Sequence, residues 1–97
     1  MSYTKQGTLV IGDNTLLDTP NNKTYYSKLI MLNNLAAYII EIKKYDAIQN
    51  ATILLAKLDL SAGDTVLDTT AYQLNKEDRL IVNSSVAGTT YMLNFSE

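Results

Sequence analysis

The C-terminal stretch Thr89-Thr90-Tyr91-Met92-Leu93-Asn94-Phe95-Ser96 decides the fold, because its side chains alternate with a period of two. Tyr91, Leu93 and Phe95 share one face, whereas Asn94 lies on the other. A strand that packs on a core with one face and meets water with the other has this pattern. The stretch therefore predicts a half-buried β-strand.

Turn residues divide the chain before this strand into further strand-like stretches. Gly, Asn, Asp and Pro permit the backbone angles of tight turns, so clusters of them separate strands. We therefore predict an all-β, single-domain antiparallel β-sandwich over residues 1–97, jelly-roll or Ig-like, with about eight strands. The predicted strands are residues 6–11, 15–18, 24–33, 38–45, 52–60, 65–72, 79–83 and 89–96.

Residues 27–60 also fit a helical alternative. Leu29, Leu32, Ala36 and Ile39 are spaced by three or four residues, as on one face of an amphipathic helix. Periodicity alone leaves helix and strand open in this region. Stiff β-branched and aromatic side chains after the Asn pair favour strands, as does the β character of the rest of the chain.

Two segments, Leu60–Leu67 and Leu74–Ile81, share a pattern. Each has an apolar residue, then a short turn that ends in Asp, then an apolar strand. The echo predicts two similar β-turns that lead into successive strands, with Gly63, Asp64 and Asp78 as the turn residues.

Composition excludes several classes of function. The 97 residues carry a net charge of -2, which argues against a nucleic-acid binder. The absence of Cys and His removes disulfides, thiolate metal sites and the usual nucleophile–base pairs, so we expect no enzyme and no cofactor. The most apolar window, Leu29–Ile42, is interrupted by two Asn and is shorter than the about 20 apolar residues of a membrane span.

The acidic residues are the remaining candidates for chemistry. Asp64, Asp68 and Asp78 would hold Ca²⁺ if they converged, although the chain lacks the spacing of a calcium-binding loop. Glu41 and Glu77 would serve a glycosidase only if they faced each other across a cleft. We favour turn roles for the aspartates, a solvent-facing strand position for Glu41 and a turn for Glu77.

Seven tyrosines suit a core, a subunit interface or a ligand platform, and we favour the first two. Both faces of the predicted strand Tyr25–Leu32 are largely apolar, with Tyr26 and Ile30 on one side and Met31 on the other. One small core does not cover both, so we predict self-association as a closed dimer or trimer. The predicted interface residues are Tyr25, Ile30, Met31 and Arg79.

The order of features resembles a family of small virion proteins of tailed bacteriophages. The matching features are Leu16-Leu17-Asp18, the Pro20 turn, the apolar strand Tyr26–Asn33, Ile40-Glu41-Ile42, Leu58-Asp59-Leu60-Ser61-Ala62-Gly63-Asp64-Thr65 and Leu74–Leu80. In the family a Gly usually stands at the position of Glu77, and the chain also ends without the family's Gly in its C-terminal tail.

The resemblance implies a non-enzymatic β-sandwich that serves as a building block of the phage particle. We expect a capsid-surface decoration or head-fibre component, located in the virion and assembled in the host cytoplasm. Its expected partners are itself and other virion proteins, such as the major capsid or fibre proteins, and not nucleic acid or membrane. A tail, neck or baseplate component is the alternative, and a small carbohydrate-binding module is the alternative from another class.

Overall fold

The computed structural model describes residues 2–97, which form nine β-strands and no helix. None of these residues therefore belongs to a helix that could cross a membrane. The strands are β1 (Ser2–Thr8), β2 (Gly12–Asp18), β3 (Tyr25–Asn33), β4 (Tyr38–Asp46), β5 (Ala51–Leu60), β6 (Thr65–Asp68), β7 (Gln73–Leu74), β8 (Arg79–Ser84) and β9 (Thr90–Ser96).

The strands form two antiparallel sheets. Sheet A has the order β1-β9-β3-β6, with β7 also paired to β3, and sheet B has the order β2-β8-β4-β5. The first two strands lie in different sheets, whereas in an immunoglobulin sandwich they share one. If β6 and β7 are counted as one interrupted strand, the order is that of an eight-stranded jelly roll. The predicted all-β sandwich is confirmed, and its topology is the jelly roll.

Several predicted boundaries were wrong. The helical alternative for residues 27–60 is wrong, since that region forms β3, β4 and β5. The first strand lies at Ser2–Thr8 rather than at residues 6–11, because Leu9 turns into the core and bonds Thr89. The predicted strand 65–72 ends already at Asp68, and Ser27 of β3 and Tyr72 of the following loop bond to each other. The short strand β7 at residues 73–74 was not predicted, and it makes nine strands where about eight were expected.

One core lies between the sheets, as the alternation of β9 predicts. Leu93 and Phe95 of β9 point into it, together with Ile30 and Leu32 of β3. Sheet B contributes side chains from β2, β4 and β8. The buried apolar residues of this core are Leu9, Leu16, Leu17, Ile30, Leu32, Tyr38, Ile40, Ile42, Val66, Leu74, Leu80, Val82, Leu93 and Phe95.

A β-bulge in β3 changes which of its side chains face the core. Ser27 is paired with Phe95 and Leu29 with Asn94, so Lys28 is an extra residue on this strand. An extra residue shifts the alternation by one position. Tyr25 and Ile30 therefore lie on the same, inner side of sheet A, whereas simple alternation places them on opposite sides.

Candidate functional site

The three aspartates predicted as a calcium alternative lie at separate places in the described residues, and no acidic cluster there could hold a metal ion. Asp64 ends the turn before β6, Asp68 ends β6 itself, and Asp78 precedes β8. Each carboxylate accepts hydrogen bonds within its own turn or loop. The structure therefore does not bring the three together.

Asp64 and Gly63 form the turn between β5 and β6. The backbone N–H of Ser61 donates to Asp64 Oδ2 at 3.0 Å, and the N–H of Asp64 donates to the Ser61 carbonyl at 3.1 Å. Gly63 has a φ of 80°, a conformation that favours glycine. The turn is tied to the β3–β4 loop because Gly63 N–H donates to the Asn34 carbonyl at 2.8 Å.

Asp78 is buried between two turns. Its carboxylate accepts from the N–H of Asn75 and from the N–H of Ala47, both at 2.9 Å. The Lys44 ammonium lies 3.6 Å from Asp78 Oδ2. This side chain therefore links the β7–β8 turn to the β4–β5 turn, an arrangement that the local sequence pattern does not indicate.

Asp68 pairs with Tyr72 at the interruption of the sheet-A edge. Burial raises the pKa of Asp68, but the hydrogen bonds from the Tyr72 hydroxyl at 2.7 Å and from the Thr70 N–H at 2.9 Å outweigh it and lower the pKa overall. Burial, together with the same bond to Asp68, raises the pKa of Tyr72. The pair holds the loop between β6 and β7.

The two internal glutamates do not face each other. Glu41 lies on β4, where its register partners are Lys57 and Asn83, and its carboxylate is 3.8 Å from Lys43. Glu77 lies in the exposed β7–β8 turn with a φ of 65°. Neither glutamate is positioned for the two-carboxylate chemistry of a glycosidase.

The tyrosines do not form a platform. Tyr38 is buried, and Tyr25 stacks edge-on against Phe95 with ring centroids 5.2 Å apart. Tyr45 is covered by the Arg79 guanidinium, 4.3 Å from its ring centroid. Among the described residues, Tyr26 is the one tyrosine with a large exposed surface.

Of the predicted interface residues, Ile30 is fully buried in the core. Its side chain is therefore not available to a partner, because the bulge at Lys28 turns it inward. Met31, the next residue, lies half-buried on the outer face of sheet A. Tyr25 packs at the margin of the core, and Arg79 lies exposed on the outer face of sheet B.

An apolar stripe crosses the outer face of sheet A. Met31 is the register partner of both Met92 on β9 and Leu67 on β6, so the three side chains form a row across adjacent strands. Leu67 is 63% exposed and Tyr26 is 40% exposed. The apolar stripe consists of Tyr26, Leu29, Met31, Leu67 and Met92.

The rim of the apolar stripe is polar but almost uncharged, with Thr, Asn, Ser and Gln at the flanking register positions. Lys28, at the bulge, is the charge on this face of β3 and donates to Ser2 at 3.0 Å. An apolar centre with a neutral polar rim is the usual anatomy of a protein contact surface.

The outer face of sheet B is charged instead. Lys43 lies 3.3 Å from Asp13, whose carboxylate also accepts from the Asn83 amide at 2.9 Å. The hydrogen bond from Asn83 lowers the pKa of Asp13, burial opposes it, and the hydrogen bond and charge of Lys43 add to the lowering, so the pKa lies below its usual value. This face therefore carries a network of charged and polar side chains.

A second exposed apolar region lies at the end of the sandwich that carries the β1–β2 loop and the β3–β4 loop. The Asn34 amide donates to Thr89 Oγ1 at 3.0 Å, which holds the β3–β4 and β8–β9 loops together. Val10, Ile11 and Leu35 project from this end with 63%, 67% and 88% of their surface exposed.

No family model matches the chain, and no curated protein sequence matches it. Among solved structures, the chain is similar to a pentameric capsid protein isolated from metagenomic phage sequences, with a TM-score of 0.53 and 18% identity. The match covers 97% of this chain, which spans 61% of the length of the capsid protein. At this identity the likeness shows that the two chains share a fold.

Proposed function

We propose that this protein is a non-enzymatic structural component of a tailed-bacteriophage virion, on the capsid surface as a decoration or head-fibre protein. One observation carries the proposal: nearly the whole chain shares its fold with a phage capsid protein. The resemblance of its sequence features to small virion proteins of tailed phages supports the same function.

The apolar stripe supports self-association as part of this function. Virion proteins act as repeated copies, and the row of Met31, Met92 and Leu67 offers each copy a contact surface without charges to desolvate. The net charge of -2 is too small to keep such surfaces apart. We expect a closed dimer or trimer, and the pentameric state of the similar capsid protein adds a ring of five to the states to be distinguished.

The exposed apolar end of the sandwich supports contact with a different virion protein. Val10, Ile11 and Leu35 lie in loops at the end of the sandwich, whereas the apolar stripe lies on the outer face of sheet A. A major capsid or fibre protein is the proposed partner. The carbohydrate-binding alternative has less support, because the tyrosines are dispersed and mostly covered.

Sedimentation velocity at about 10 μM tests self-association. We expect an oligomer for the wild-type chain and monomer for Met31→Asp, since a carboxylate on the apolar stripe would have to be desolvated. Ile48→Asp is the matched control, because Ile48 is 78% exposed in the β4–β5 turn and lies off the stripe. A wild-type monomer, or an oligomer that Met31→Asp leaves unchanged, would refute this contact.

Electron microscopy of particles from the encoding phage tests the location. We expect density of one or more copies of this jelly roll on the outer surface of the capsid. Its presence at the neck, tail or baseplate would support the alternative position, and its absence from purified particles would refute a virion function.

A further inference from the structure

The longest open edge of the sandwich is β5. Its ten residues pair with β4 on one side, and no backbone hydrogen bond outside this pairing uses them in the described part of the chain. Among the other edges, β6 has four residues, β2 has a bulge and two aspartates, and β1 is shorter than β5, with seven residues that include one lysine. β5 is the longest edge strand and is mostly exposed. Leu55 is an extra residue in its pairing with β4, and the segment Ala56–Leu60 after this bulge pairs regularly with Tyr38–Ile42. The outer side of this regular segment is a template for pairing with another strand.

A groove of about 470 Å³ runs beside this edge, between β5 and β6. Ala56, Leu58 and Leu60 line it from β5, and Val66 and Tyr72 lie across from them. On the opposite side of the sandwich, the Lys5 ammonium of β1 donates to the Leu16 carbonyl of β2 at 3.3 Å and so bridges the two sheets. The open edge of β5 thus coincides with an open side of the core.

We infer that β5 is a self-pairing edge, at which two copies of this chain join antiparallel across a two-fold axis with Leu58 opposite Leu58 of the partner subunit. Lys57 and Asp59 are two residues apart, so both point to the outer face of sheet B. In this register each Lys57 lies opposite Asp59 of the partner subunit. The dimer would then contain two cross-strand pairs of opposite charge.

The charges select this register over its neighbours. A shift of two residues places Lys57 opposite its own counterpart in one direction and Asp59 opposite its counterpart in the other, and like charges directly opposite destabilise a sheet. A shift of one residue turns the groove-lining side chains outward. The proposed register alone combines opposite charges outside with apolar pairs inside.

The same charges identify a second copy of this chain as the partner that pairs with the β5 edge. Lys57 is the register partner of Glu41 on β4, but neither Lys57 nor Asp59 makes an ion pair or side-chain hydrogen bond among residues 2–97, and both are exposed. A two-fold axis through Leu58 satisfies both charges at once with the same two residues of the other copy. It also brings Ala56 opposite Leu60 of the partner subunit, which covers the groove with the side chains that line it.

This contact is separate from the apolar stripe, which lies on the outer face of the other sheet. It buries fewer residues than a standard interface, so we expect it at higher protein concentration. The inference does not depend on the proposed virion function.

Sedimentation equilibrium up to about 1 mM tests the edge contact, in the wild-type chain and in Met31→Asp, which removes the stripe contact. We expect Met31→Asp to dimerise, and the added change Lys57→Asp or Asp59→Lys to weaken that dimer about 10- to 30-fold, because two attractive pairs become two repulsive ones. Lys76→Asp, a lysine in the exposed β7–β8 turn, is the charge-matched control and should leave the dimer unchanged.

Mixing gives the decisive result. The Lys57→Asp chain has two acidic residues at the edge and the Asp59→Lys chain has two basic ones, so an equimolar mixture should form a heterodimer visible by native mass spectrometry. The double variant Lys57→Asp/Asp59→Lys should dimerise like its parent. If Met31→Asp stays monomeric at 1 mM, if either single variant dimerises as well as its parent, or if the mixture yields no heterodimer, the inference is wrong.

Discussion

The β5–β6 turn and the β7–β8 turn have the same hydrogen bonds but different surroundings. In both, the Asp carboxylate accepts from the N–H three residues earlier, at 3.0 Å for Asp64 and 2.9 Å for Asp78. In both, the residue before the Asp has a positive φ, 80° at Gly63 and 65° at Glu77. Both turns are exposed at their tips, but the first has glycine where glycine is favoured, whereas the second has glutamate there and a buried aspartate after it.

The difference shows how one local motif serves two purposes. Asp64 is exposed and stabilises its own turn. Asp78 is 1% exposed and also accepts from Ala47, so it connects two turns at one end of the sandwich. We expect the second turn to contribute more to stability through its aspartate and less through its backbone conformation.

The largest expected effect is that of Asp78→Ala. The change leaves the Asn75 and Ala47 N–H groups without acceptors and the partly buried Lys44 without its counter-charge, so the free energy of unfolding should fall by about 3 kcal/mol. Asp64→Ala, its matched partner, should cost about 1 kcal/mol because the donor it frees can bond water.

Urea denaturation followed by circular dichroism measures both losses. Asp78→Asn keeps an oxygen acceptor and should fall between the wild type and Asp78→Ala. Equal losses for the two Ala variants would contradict the distinction between a bridging and a local aspartate.

These two turns were predictable because their information is local. Leu60–Leu67 and Leu74–Ile81 repeat one pattern of apolar residue, turn and Asp, and the aspartates occupy the expected positions. The link from Asp78 to Ala47 was not predictable, since it depends on which strands are neighbours in sheet B. Strand alternation likewise identifies the β-sandwich but not the pairing of β1 with β9, which separates a jelly roll from an immunoglobulin fold.

The predicted interface was also only partly predictable, because its residues depend on how the strands pair. Alternation along Tyr25–Leu32 indicates two apolar faces, but the bulge at Lys28 moves Ile30 to the inner one. A single extra residue changes no composition and interrupts no apolar run, so the pattern contains no sign of it. The row of Met31, Met92 and Leu67 joins three strands that are distant in the chain and becomes visible only with the register.

The next effect concerns the exposed turn. Gly63→Ala should lower the free energy of unfolding by about 1 kcal/mol, because an L residue at a φ of 80° is strained. The strain should act alone, since a Cβ at this position would meet no atom within 4 Å. Gly63→Asn should cost less, because asparagine tolerates this conformation better than alanine. If Gly63→Asn lowered the free energy of unfolding as much as Gly63→Ala, a steric clash would explain the loss better than backbone strain.

The smallest expected effect is a gain. Glu77 adopts a φ of 65°, a conformation that favours glycine, and its side chain makes no hydrogen bond or ion pair among residues 2–97. Glu77→Gly should relieve the strain and raise the free energy of unfolding by about 0.5 kcal/mol, after the greater flexibility of glycine in the unfolded chain is subtracted.

Glu77→Ala separates this cause from a simple loss of the charged side chain. Alanine removes the carboxylate but keeps the strained φ, so its stability in urea should equal that of the wild type, whereas Glu77→Gly should exceed both. The N–H of residue 77, which donates to Thr19 at 2.9 Å, is present in all three chains and holds the turn in place. If alanine gave the same gain as glycine, charge repulsion in the turn would explain the effect, and the two turns would differ in their electrostatics more than in backbone strain.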